Sequence, residues 1–238
     1  MKLYHFLILS GVFWPIFSGA QLPTQNILSS EILQQLKHAP VVKTYKVKGA
    51  PWPKIDVYIS IQASALDSVA VYYALEYQQE YVPDLLQSKP VKQISPTEIY
   101  TRYRYHVPWP FTDSIYVNGS KLEKNGSDYS VNWYMVENDS ADEVYGKATF
   151  IDHGGETILH YENFVKPKAF LAILLKRIPR TNTLAAVQAI KAQIEKLRTQ
   201  NSLLLNLFRQ RIEDALKGKY PYRKIVEANL QKEDKITP

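Results

Sequence analysis

Between Ile99 and Lys166 the chain keeps a two-residue rhythm, and from Leu184 onward it keeps a 3.6-residue one. That switch restricts the fold more than any other feature. In the first stretch Ile99, Thr101, Tyr103, Tyr105 and Val107 share one face, while Arg102, Arg104 and His106 share the other. Such alternation is the signature of a strand packed on one side only. Ser114–Asn118, Tyr129–Val136, Val144–Ile151 and Thr157–Val165 read as further strands, with Asn118-Gly119, Asn125-Gly126 and Gly154-Gly155 as turns between them. In the later stretch Leu184, Val187, Ile190, Ile194 and Leu197 recur at helical spacing. Leu204, Leu205, Phe208, Ile212 and Leu216 continue the stripe, on one long helix or on two parted near Asn201-Ser202. A one-sided sheet needs a cover, and a one-sided helix supplies it. The expected class is α+β, a curved antiparallel sheet wrapped around a long C-terminal helix.

Upstream, Ile27–Leu36 reads as a short helix ended by Ala39-Pro40, followed by strands at Val41–Val47 and Lys54–Ala63. In the second of these Ile55, Val57, Ile59 and Ile61 share a face. Ser64, three residues before Asp67, makes a capping-box-like start for a helix through Val71, Tyr72 and Leu75 that Pro83 stops. Leu85 and Leu86 read as a connection, since Pro90 excludes a helix there. Phe170–Ile178 is densely apolar, and Pro179 with Thr181-Asn182-Thr183 offers a boundary and a fresh N-cap before the long helix. Lys217–Pro238 is polar and reads as a fraying tail.

The compartment follows from the first twenty residues. Lys2 precedes an apolar run, Leu3–Phe17, which ends in Ser18-Gly19-Ala20, the small residues a signal peptidase reads. The run is shorter than the roughly 20 apolar residues of a membrane span. Residues 1–20 are thus expected to be a cleaved signal, placing the protein outside the cytosol, periplasmic or secreted. Residues 21–39 form an N-terminal helical segment, 40–200 the main domain, and 201–238 a helical extension with its polar tail. There is no cysteine, which removes disulfides, thiolate metal sites and cysteine nucleophiles together. The formal charge of +6 is not gathered into a stripe, so nucleic acid is not an expected partner.

Four segments carry a resemblance. Leu66–Pro83, LDSVAVYYALEYQQEYVP, is similar to the first long helix of START and polyketide-cyclase-like (SRPBCC) domains. His106–Tyr116, HVPWPFTDSIY, resembles the START segment in which a Pro-Trp-Pro element precedes an Arg-Asp pair. The closing strand Ile158–Pro167 and the helix from Leu184 sit in the same order, so the likeness spans roughly residues 40–200. It implies the helix-grip fold, which holds a lipid-, sterol- or polyketide-sized molecule between sheet and C-terminal helix. Ser114-Ile115 stands where that family has its Arg-Asp pair, and the loss of charge fits a more neutral ligand.

There is no Gly-x-Ser-x-Gly elbow, His-Glu-x-x-His, P-loop or Gly-x-Gly-x-x-Gly. His160 and Glu162 share a strand face at period two and could form a metal or acid–base pair; without a third ligand in view they read as an exposed polar face, and neither metal nor cofactor is expected. Arg102 and Arg104 are expected in solvent, because arginine is rarely buried without a partner. The aromatic content is high, with 17 Tyr and 4 Trp, and an apolar ring with a polar tip suits a pocket wall. The expected cavity lining is Tyr103, Tyr105, Tyr116, Trp133, Phe150 and Tyr161, with Asn163 as polar anchor and Leu171, Leu174, Leu175, Leu184 and Val187 from the helical side. Asn118, Asn125 and Asn138 each begin an Asn-x-Ser glycosylation pattern.

Three functions remain open on these grounds: a non-catalytic carrier or sensor of a lipid or other apolar molecule, a cyclase- or hydrolase-type enzyme in the same cavity, and an adaptor that docks a partner on the Leu204–Leu216 stripe. Lys166, Lys168, Lys176 and Arg177 flank the apolar segment, so transient contact with an anionic membrane surface is the expected loading route. If export is correct, Edman or mass analysis of secreted protein will find a mature N-terminus at Gln21 or its pyroglutamate. Recovery of intact Met1 would contradict it.

Overall fold

The computed structural model describes residues 28–107, 109, 112–138, 140–168 and 178–234. Ser29 caps the first helix, α1 (Ser30–Leu36), by accepting from the Ile32 N–H. Strands β1 (Val41–Tyr45) and β2 (Lys54–Ile61) follow, then α2 (Ala65–Tyr72) and a 3₁₀ turn at Leu75–Glu80. Six strands come next: β3 (Leu85–Ser95), β4 (Glu98–Tyr105), β5 (Ser114–Asn125), β6 (Asp128–Asn138), β7 (Ala141–His153) and β8 (Glu156–Pro167). Three helices close the chain, α3 (Ile178–Gln200), α4 (Ser202–Leu216) and α5 (Arg223–Asp234). The strands form one eight-stranded antiparallel sheet in the order β1-β2-β8-β7-β6-β5-β4-β3. It is open and curved, with the helices α2 to α4 on its concave side. This is the α+β arrangement that the change of period implies, and the helix-grip architecture that the resemblance implies.

Several local readings are corrected. Leu85 and Leu86 lie not in a connection but in β3, an edge strand paired with β4 through three register shifts. An edge strand tolerates Pro90, whose missing N–H would break an interior ladder. Asn118-Gly119 is not a turn. Both residues sit inside β5, Asn118 is buried and so closed to a glycan, and the turn is made at Gly126, with φ +61°. Gly119 lies opposite Tyr134, and Gly146 lies opposite Trp133. Each glycine leaves room for the aromatic ring laid across it. The Ser64 cap holds, its hydroxyl accepting from the Asp67 N–H at 3.1 Å. The helix ends eight residues later at Tyr72 instead of continuing to Pro83.

α3 starts at Ile178, so Thr181–Thr183 is helix interior and not a cap. Pro179 is admissible there because the first helical N–H groups have no intrahelical partner. Asn201 breaks the stripe in two, its side chain accepting from the Leu204 N–H at 3.0 Å. Beyond Lys217 the described residues, through Asp234, fold back as α5 and are not a fraying tail. Tyr222 is buried, and its hydroxyl donates to the Tyr73 carbonyl while accepting from the Leu75 N–H. Those two groups also bond each other where α2 gives way to the 3₁₀ turn, the Leu75 N–H donating to the Tyr73 carbonyl at 2.9 Å, so the phenol ties down a turn already closed by the backbone. Asn229 on α5 donates to the Pro90 carbonyl at 2.9 Å, so this helix covers the β3 edge.

The core lies between the concave face and the helices. Ile55, Val57, Ile59 and Ile61 of β2 meet Val187, Ile190, Ile194 and Leu197 of α3. α3 is fixed on the end of β2 by Lys191, which donates to the Ser60 carbonyl at 2.6 Å, and by Glu195, which accepts from the Gln62 N–H at 2.9 Å. α4 contributes Leu205, Phe208, Ile212 and Ala215 to the same core, and its Arg209 neutralises the buried Asp67 of α2.

The two aromatic–glycine pairs give a test of the register. A methyl group on Gly146 would meet both the Trp133 ring and the Glu162 carbonyl, a backbone atom that cannot move aside. At Gly119 it would meet only the exposed Tyr134 ring. Gly146→Ala is expected to cost about 1–3 kcal/mol, read as a fall in Tm of about 2–4 °C per kcal/mol in calorimetry. Gly119→Ala should cost less, and the reverse order would mean that the register is wrong.

Candidate functional site

The concave face divides into two ends. At the end of the β5–β6 and β7–β8 hairpins it is filled: Ile99, Leu122, Tyr129, Val131, Phe150, Leu159 and Thr157 are buried. α2 plugs this end, with Tyr72 on Phe150 at 5.4 Å and Ser68 donating to Thr157 at 3.1 Å. At the opposite end, where β4 leads to β5 and β8 to α3, the face keeps accessible surface. Tyr105, Tyr116, Met135, Val144, Tyr161, Asn163 and Val165 are only half-buried there. The helical cover above them comes from the first turns of α3, including Leu184.

Aromatic rings wall this second end. Cross-strand pairing sets Tyr103 opposite Tyr116 and Tyr105 opposite Ser114. The Tyr103 and Tyr116 rings lie 5.4 Å apart, and the Tyr105 and Tyr116 rings stack at 5.8 Å. Trp133 and Tyr161 meet at 4.9 Å. Tyr72 closes the row from α2 and Tyr81 from the chain beyond the 3₁₀ turn. Burial raises the pKa of Tyr72, Tyr81, Tyr103, Tyr105, Tyr116 and Tyr161 above the phenol range, and neighbouring tyrosines push the same way. The six hydroxyls therefore stay protonated at any physiological pH. Among the described residues, three oxygens here have no hydrogen-bond partner, the Tyr81 hydroxyl, Thr101 Oγ1 and Asn118 Oδ1. Asn163 is partnered, donating to Thr183 at 3.5 Å. Among the described residues of this face, a carboxylate or cation occurs only at the opposite, hairpin end, where Asp152 and Lys124 are exposed.

The structure thus brings Tyr103, Tyr105, Tyr116, Trp133, Tyr161 and Asn163 to one face, with Leu184 across from them. Phe150 and Val187 point inward but retain no accessible surface. A wall residue must touch open space, so these two are core and not lining. Leu171, Leu174, Leu175 and most of the Pro108–Phe111 element lie outside the described residues; Trp109 is 91% exposed. Arg102 and Arg104 are exposed as expected, Arg104 bonding Asp113 at 2.7 Å.

His160 is a further correction. It lies on the convex face, buried against Tyr58, and is not an exposed polar group. Sequence reasoning also missed Tyr72, Tyr81 and Asn118 as neighbours of the aromatic wall. Asn118 was hidden by its turn-like Asn-Gly pair, although its spacing of two from Tyr116 was a usable signal. Outside this face, a groove of about 970 Å³ runs between α1 and α3, flanked by Lys37, Lys191 and Glu195. Its charged rim and its separation from the aromatic wall set it apart from the site.

No family model matches the sequence, and no curated protein matches it. Solved structures do. A STAR-related lipid transfer protein from Xanthomonas axonopodis superposes with TM-score 0.59 at 17% identity, over 66% of this chain and 94% of that one. Human STARD10 superposes with TM-score 0.62 at 13% identity, over 73% and 76%. The Zhui aromatase/cyclase from Streptomyces sp. R1128 gives TM-score 0.55 at 11% identity, over 63% and 97%. With its strand order, its concave-side helices and these likenesses, the chain has the START-like helix-grip fold.

Proposed function

We propose that the protein is an exported carrier or sensor that holds one apolar, uncharged molecule against the aromatic end of its concave face. The observation that carries this reading is the confinement of accessible concave surface to that end, together with its lining. The walls are rings whose hydroxyls burial keeps neutral, and Asp84, the carboxylate that acts on Tyr105, is exposed to solvent and not set into the wall. An anionic or cationic group placed there would lose its hydration without gaining a counter-charge, which disfavours charged ligands strongly. A hydroxyl or amide would find the Tyr81 hydroxyl and Asn118 Oδ1, which have no hydrogen-bond partner among the described residues and become reachable when the rings over them turn aside. Such sites combine a mostly apolar wall with a few polar groups that orient the ligand.

The likeness to a protein named for lipid transfer agrees with this ligand class. The His–Asp–Glu grouping among the described residues lies on the opposite face of the sheet, so it cannot act on a molecule in the cavity. Loading at an anionic membrane surface belongs to the same proposal, with Lys166 and Lys168 at the exit of β8 as its basic flank.

The test compares a fluorescent long-chain polyene alcohol with the carboxylate of the same chain, read by energy transfer from Trp133 in a Trp52→Phe, Trp109→Phe background of residues 21–238. The alcohol is expected to saturate at one molecule per protein, and the carboxylate at pH 8 to bind at least about tenfold more weakly. Asn118→Leu should weaken the alcohol by about three- to tenfold. Equal affinity for both probes, with no response to Asn118→Leu or Tyr161→Ala, would overturn the reading.

A further inference from the structure

The convex face carries a second constellation, built where β2 pairs with β8. The register sets Asp56 opposite Glu162 and Tyr58 opposite His160. Alternation turns all four away from the cavity. α1 covers part of this surface, with Ile32 and Val41 packed on Tyr58. The Tyr58 ring stacks on the imidazole at 4.1 Å and 4°, which fixes the plane of His160. Its Nε2 then lies 3.3 Å from Asp56 Oδ2. One ligand atom each from Asp56, His160 and Glu162 falls within 4.8 Å of the others.

Asp56 is the informative member. Its carboxylate is 5% exposed, yet Oδ1 accepts no hydrogen bond. A buried carboxylate oxygen left without a donor is costly, and native structures rarely keep one without a reason. The nearest cation is Lys54, whose Nζ stands 3.6 Å from Asp56 Oδ1 and 2.5 Å from Glu162 Oε1. One ammonium is shared between two carboxylates, and it leans toward the more exposed of them.

We propose that Asp56, His160 and Glu162 are a binding site for a divalent transition-metal ion of the zinc class, with Lys54 as the cation that the metal displaces. One imidazole nitrogen and two carboxylate oxygens suit such an ion, whereas magnesium and calcium favour all-oxygen shells. Tetrahedral bonds of about 2.0–2.2 Å put ligand atoms about 3.3–3.6 Å apart. The Nε2–Oδ2 separation already has that value. Glu162, whose side chain is 24% exposed, closes the site on its solvent side and leaves a position for water. Bound metal would clamp β2 to β8, and because it binds only the folded chain it would raise stability by mass action.

The experiment uses the full chain without a polyhistidine tag, stripped with chelator, and titrated with Zn²⁺ by calorimetry and with Co²⁺ by visible absorption. One metal per chain is expected, with a thermal midpoint that rises with added Zn²⁺. His160→Ala and Glu162→Gln should each weaken binding by at least about tenfold, with circular dichroism showing the sheet intact. Lys54→Met should tighten it, a gain that misfolding cannot imitate. Absence of binding in both the wild type and Lys54→Met would overturn the proposal and leave Lys54 as the resident cation. Binding indifferent to His160→Ala and Glu162→Gln would overturn it equally.

Discussion

A curved sheet with one apolar face has to keep that face from water, and the rest of this molecule is arranged by how the cover is built. α2 is the first part of the cover. All of its residues but Leu66 are buried, and small ones such as Ala65, Ser68 and Ala70 let it sit close to the strands. α3 lies beside it on β2, and α4 packs over it, with Arg209 compensating the Asp67 carboxylate that this packing buries. Tyr222 then ties down the backbone where α2 breaks. Among the described residues, only the first turns of α3, with Leu184, lie over the Tyr105–Tyr116–Tyr161 end. The site is therefore the part of the concave face that short α2 leaves uncovered.

Much of this was legible in the sequence. Period two fixed which side chains of β4, β6, β7 and β8 share the concave face, so Tyr103, Tyr105, Trp133, Tyr161 and Asn163 could be grouped before any coordinates existed. The change of period located α3 and α4. What could not be read was set by partners distant in the chain. Nothing local distinguishes Phe150, sealed under Tyr72, from Tyr161 on the neighbouring strand, because the difference lies in where α2 ends. β3 was obscured by Pro90, which is tolerated only because the strand is an edge covered by α5. Asn118-Gly119 has the composition of a turn, and only the Tyr134 ring across the glycine reveals a strand interior.

The convex-face grouping illustrates the same limit. His160 and Glu162 are visible at period two, but Asp56 is 104 residues from His160. Only the β2–β8 register brings it opposite Glu162. The two faces of one pair of strands thus carry unlike chemistries. Tyr161 and Asn163 face the aromatic end of the cavity, while His160 and Glu162 face the buried carboxylate. A one-residue slip in that register would exchange the two sets, so the strong pairing along β2 and β8 underlies both sites.

The central claim is that the uncovered end of the concave face holds a neutral apolar molecule. Native mass spectrometry of protein purified from its own source tests it most directly. The account predicts a mass above that of the mature polypeptide by one small molecule, released on denaturation into organic solvent and carrying no fixed charge. A bare polypeptide mass that stays unchanged after incubation with the lipid extract of the same cells would contradict it.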